Sequence, residues 1–73
     1  MNLAQLNKLV EKKKKDVLRE FKRNGYVENL GQKQARDIDE ASLRLAHDHT
    51  ADWNERRVAG NVAINFQNWL DTL

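Results

Sequence analysis

Not one proline occurs in these 73 residues, and this constrains the fold more than any single residue present. Proline removes a backbone donor and clashes with the preceding helical turn, so a chain without it carries no strong helix breaker. Apolar residues recurring every three or four positions can then run on as helices. Cysteine is missing as well, which excludes disulfides and thiolate metal sites and fits a reducing compartment. A domain this short buries only about 60% of the surface its unfolded chain exposes. Its stability must therefore come from close helix packing or from self-association.

Three helical stretches follow from the periodicity. Leu3, Leu6, Leu9, Val10, Val17 and Phe21 form one stripe, with Asn2 as N-cap and Asn24-Gly25 as the stop. The turn at Lys13–Lys14 has no apolar residue; a lysine there is expected to lay its stem on the core and send its ammonium to water. Tyr26 falls where a Schellman ending would pack it against Phe21. Asn29 with Gln32 has the spacing of a capping box for a second helix, whose inner face is Ala35, Ile38, Ala41, Ser42, Leu45 and Ala46. Asp52 with Glu55 has the same spacing at the start of a third. Ala59, Val62, Ala63, Phe66, Trp69, Leu70 and Leu73 supply its stripe. Gly60 is read as a kink or boundary in preference to a small-residue patch, shared with Ala59 and Ala63, where another helix would approach closely.

The expected architecture is all-α: one domain over residues 1–73, an antiparallel three-helix bundle with helices at about 3–24, 32–48 and 52–72. The alternative is a long helical hairpin that dimerises into a four-helix bundle. No apolar run is long enough to span a bilayer, and the first residues lack the features of a secretory signal, so a cytoplasmic protein is expected.

Charge is distributed unevenly. Residues 1–25 hold eight basic and three acidic side chains, against five and eight in residues 26–73. Within the first helix Lys8, Lys12, Lys15, Arg19 and Lys22 step by four, three, four and three, which places them on one face. Such a row suits a phosphate backbone, because counterion release needs no base reading. It equally suits an ordinary solvated surface, with Glu11–Lys15, Lys12–Asp16 and Glu20–Arg23 as pairs along the helix. Arg56 and Arg57 form a second, smaller basic spot. Trp53 lies among polar neighbours and is a candidate interface anchor; Trp69 lies on the core stripe.

Groups for catalysis are few. Ser42 is the one serine and falls at a packing position. The glycines at 25, 31 and 60 are scattered and make no phosphate loop. His47 and His49 point about 200° apart on a continuous helix, so they cannot share a metal ion there. No catalytic residue, metal or cofactor is expected. The sequence points to a small non-enzymatic regulator or inhibitor that binds a protein partner, of a kind that phages and plasmids encode. The alternative is a nucleic-acid-binding accessory factor using the basic face. Candidate contact residues are Lys8, Lys12, Lys15, Arg19, Lys22, Arg56, Arg57 and Trp53, and a homodimer is a further expectation.

Overall fold

The computed structural model describes all of Met1–Leu73. Its elements are α1 (Leu3–Asn24), a single 3-10 turn at Glu28–Gly31, α2 (Gln32–Ala46) and α3 (Trp53–Asp71). They form an up-down-up three-helix bundle, elongated to 42 × 17 × 15 Å. Arg56 donates to the Ala46 carbonyl at one end, and Gly31 lies against Leu70 at the other, so α2 and α3 run antiparallel. α1 runs parallel to α3. The chain breaks between α2 and α3, which removes the long-hairpin alternative. α2 stops at Ala46 and α3 starts at Trp53, so the break is wider than the sequence suggested. Asp48 holds it, accepting hydrogen bonds from the Thr50 amide (2.9 Å) and hydroxyl (2.6 Å). No helix is long and apolar enough to cross a membrane.

The start of α1 is a complete capping box. The Asn2 side chain accepts from the Gln5 amide, and the Gln5 side chain accepts from the Asn2 amide, both at 2.8 Å. Its end departs from expectation. The Gly25 amide, at φ 77°, donates to the Phe21 carbonyl at 2.7 Å, and the Tyr26 amide makes no second bond. This is the simpler αL cap rather than a Schellman motif, and Tyr26 is left exposed.

The expected capping box at Asn29 does not form. Asn29, Leu30 and Gly31 all take left-handed dihedrals, with φ of 53°, 55° and 77°. For Leu30 this conformation costs roughly 1–2 kcal/mol. Gly31 is the residue on which α2 starts, and a Cβ there would stand 2.7 Å from a Leu70 methyl. Here the backbone packs directly on α3, which is why the position holds glycine. Asp52 likewise makes no side-chain cap to α3. Its expected partner Glu55 instead reaches across the bundle to accept the Leu3 amide at 2.7 Å.

The core is Leu6 and Val17 from α1, Ala35, Ile38, Ala41 and Leu45 from α2, and Ala59, Val62, Phe66 and Leu70 from α3. Two buried residues from a 22-residue helix is a thin contribution, and α2 with α3 forms the closest pair. The lysine-filled gap on α1 is closed in a way the pattern did not indicate. Lys13 forms an ion pair with Asp37 on α2 at 2.7 Å. The Lys14 ammonium sits 5.4 Å from the centre of the Trp69 ring, which itself stacks on Phe66 at 5.6 Å. Neither ammonium is simply released to water. Gly60 is no boundary: α3 runs through it, and nothing lies within 4 Å of where its Cβ would be.

Candidate functional site

At about 100° per residue, Lys8, Lys12, Lys15, Arg19 and Lys22 fall within an arc of roughly 80° on α1. That arc is centred almost opposite the direction of Leu6 and Val17. All five side chains are exposed. The Lys12–Lys15 run therefore divides by geometry: Lys13 and Lys14 turn inward to Asp37 and Trp69, while Lys12 and Lys15 join the outer row. No acid forms an ion pair with the row, although Glu11 lines the same surface hollow as Lys8, Lys12 and Lys15. Lys13–Asp37 is the single ion pair in the structure, so Glu11–Lys15, Lys12–Asp16 and Glu20–Arg23 are all open.

The capping and hinge chemistry sits elsewhere. Hydrogen bonding to Lys13, reinforced by its charge, holds the Asp37 carboxyl below its ordinary value. The Thr50 hydroxyl and amide do the same for Asp48. His47 terminates α2 and His49 is exposed in the break. No three His, Asp or Glu side chains converge in a way that could hold a metal. Ser42 is buried at 2% exposure, and its hydroxyl has no partner; no base stands beside it to activate it.

Trp53, Arg56 and Arg57 line an open concavity of about 420 Å³ with Ala46. Arg56 is committed to the fold there, because its Nε donates to the Ala46 carbonyl at 2.9 Å and ends α2. Arg57 is free of acids and its guanidinium stands 5.5 Å from the centre of the Trp53 ring. Trp53 is 68% exposed. Since Glu55 faces α1, residues 53 and 57 lie about 160–200° around α3 from it. The structure therefore does not merge them with the α1 row into one site.

The outward faces of the three helices differ in kind. α1 presents cations. α2 presents mixed charge through Lys33, Arg36, Asp39, Glu40 and Arg44, all exposed. α3 carries no charged residue from Val58 to Leu70, although Gly60, Asn61, Ile64 and Asn68 are exposed. The uncharged run Val58–Leu70 is legible in the sequence, but only the packing of α3 shows which of its residues face outward. A third feature, an apolar hollow of about 360 Å³ at the α1–α2 connection, is lined by Phe21, Tyr26, Val27, Leu30, Leu70 and Leu73 among others. No protein-family model matches this chain, and neither a curated protein nor a solved structure is detectably similar to it.

Proposed function

We propose that this chain is a non-enzymatic cytoplasmic binding module whose outward α1 face engages a polyanion, with nucleic acid as the partner class. One observation carries the reading. Five cations stand in a straight exposed row, and no acid is paired with any of them. From Lys8 to Lys22 the row rises about 21 Å, a length over which duplex DNA carries about twelve phosphates. A rigid helix holds these charges in place without ordering a loop, and the binding energy comes from released counterions. Nothing in the row reads bases, so the binding is indifferent to sequence. The test is titration of labelled DNA and RNA, double- and single-stranded, with the protein and its Lys12/Lys15/Arg19→Ala variant. The wild type binds and the variant binds far more weakly; equal binding by both would refute the reading.

A second reading is favoured by Trp53. An indole 68% exposed on a helix end, flanked by Arg57, has the composition of a protein hot spot. On this reading the chain is a protein-directed regulator or inhibitor, of the compact sort found on phages and plasmids, and α1 meets an acidic groove of its target. Trp53→Ala then abolishes target binding while leaving helix content unchanged.

A further inference from the structure

We infer that Trp53 is a stacking platform for an unpaired base of single-stranded nucleic acid, with the guanidiniums of Arg56 and Arg57 beside the strand's phosphate. The inference rests on the polyanion reading for its partner class and adds a preference for strands whose bases are free. Trp53 is the most exposed aromatic residue of the chain. The Arg57 guanidinium stands 5.5 Å from the centre of its ring and lies one turn further along α3. The indole is therefore held at the surface by a cation, outside the core.

The lining of the concavity points to the ligand. Ala46, Trp53, Arg56 and Arg57 border about 420 Å³, at the small end of ligand-sized pockets. Neither arginine belongs to an ion pair. Of the acids close by in the chain, Glu55 accepts the Leu3 amide and Asp48 accepts from Thr50. Asp52 is exposed and pairs with no cation. Arg56 is fixed in place by the bond from its Nε to the Ala46 carbonyl. An exposed aromatic ring beside two unpaired cations matches a nucleotide, which joins a π-face to an anion. A protein hot spot needs neighbours that exclude water around the anchor. Trp53 lacks them: residues 52, 54, 56 and 57 are all polar or charged, and Ala46 is the only other apolar residue in the lining.

Geometry separates the two forms of nucleic acid. Trp53 and Arg57 lie on the side of α3 turned away from α1, so they and the α1 row occupy different sides of a bundle 17 × 15 Å across. A duplex is stiff over about 150 base pairs and keeps its bases paired. Lying on the row, it neither bends round to Trp53 nor offers it a free base. A single strand does both.

The test compares three probes at low salt: a dT oligonucleotide of about 15 nucleotides, an abasic oligomer of the same length, and a mixed-sequence duplex. Trp53→Ala is expected to weaken dT binding by about 5- to 150-fold, the worth of one stacked base. Its affinity for the abasic strand and the duplex, which offer no free base, stays at the wild-type value. Trp53→Phe keeps a π-face and binds dT more tightly than Trp53→Ala does. The dT strand also quenches the indole emission of the wild type, but not that of Trp53→Phe, whose remaining indole is Trp69. Trp53→Ala binding dT as well as the wild type overturns the inference and leaves Trp53 to a protein partner. Equal weakening of the abasic strand overturns it too, because the indole would then act without a base. Failure of the α1 row shows separately, as undiminished duplex binding by the Lys12/Lys15/Arg19→Ala variant.

Discussion

The amide of Leu3 donates to the carboxylate of Glu55 across 2.7 Å, joining residues 52 positions apart. The first amides of any helix lack partners within it, and α1 recruits one from the first turn of α3. This clamp matters more because α1 contributes so little to the core. Glu55→Ala is expected to destabilise the fold by about 1 kcal/mol, the usual size of a lost N-terminal cap. Glu55→Gln, which keeps an acceptor oxygen, loses less than half of that. Urea midpoints at neutral pH measure both; an unchanged midpoint for Glu55→Ala would show that the clamp adds nothing.

Asp37 and Asp48 contribute to the acid sensitivity. Both carboxyls are held below their ordinary value of 3.8, Asp37 by Lys13 and Asp48 by Thr50. A group with a lowered folded-state pKa binds protons less readily than in the unfolded chain. Its contribution is complete above the unfolded value and disappears as pH falls through the folded one. Stability is therefore expected to be level from neutrality to about pH 5 and to decline below about pH 4. Asp37→Asn lowers the neutral-pH midpoint slightly and flattens the acid limb. A variant limb as steep as the wild type's would remove the Lys13–Asp37 pair as its source.

The three glycines should respond to alanine with different signs. Gly60 is helical with open space around it, so Gly60→Ala stabilises the fold by about 0.8–1 kcal/mol through helix propensity. Gly25 is left-handed with nothing nearby, and Gly25→Ala costs about 1 kcal/mol in backbone strain. Gly31→Ala carries that strain and must also displace Leu70, so it is the most destabilising of the three. Thermal melts at low protein concentration rank them; equal values would mean the packing of Gly31 on Leu70 is incidental.

Ser42 offers a substitution that should improve the protein. Its buried hydroxyl has no hydrogen-bond partner, which is unfavourable, and alanine is the better helix former. Ser42→Ala is expected to raise stability by about 1 kcal/mol. Chemical denaturation would detect the change, and a drop of similar size would mean the hydroxyl is bonded in the folded protein.

The parts of this fold legible in the sequence are those governed by local period. The stripes of α2 and α3 locate the core, and Asn2 as N-cap marks the start of α1, because helix spacing and capping are short-range rules; that Gln5 completes a capping box with Asn2 came from the structure. What escaped depends on residues far apart in the chain. Glu55 has the spacing of a local cap with Asp52, yet a free amide at Leu3 takes it. Lys13 and Lys14 look like solvated gaps until Asp37 and Trp69 arrive from the other helices. The left-handed run at Asn29–Gly31, which brings Gly31 against Leu70, goes against the intrinsic preference of Leu30. For the candidate site, the spacing of Lys8 to Lys22 already placed the row on one face. That the acids of α1 leave it unpaired required coordinates.

The most direct test of the α1 row is the salt dependence of its binding to a mixed-sequence DNA duplex, followed by fluorescence anisotropy between about 50 and 200 mM salt. Five phosphate contacts give a logarithmic slope near −4.5, so affinity should fall by about 500-fold over that range. The Lys12/Lys15/Arg19→Ala variant retains two contacts and should fall only about 12-fold from a much weaker start. A shallow slope shared by both proteins, or no binding at the lower salt, would contradict the account and leave the row as solvated surface.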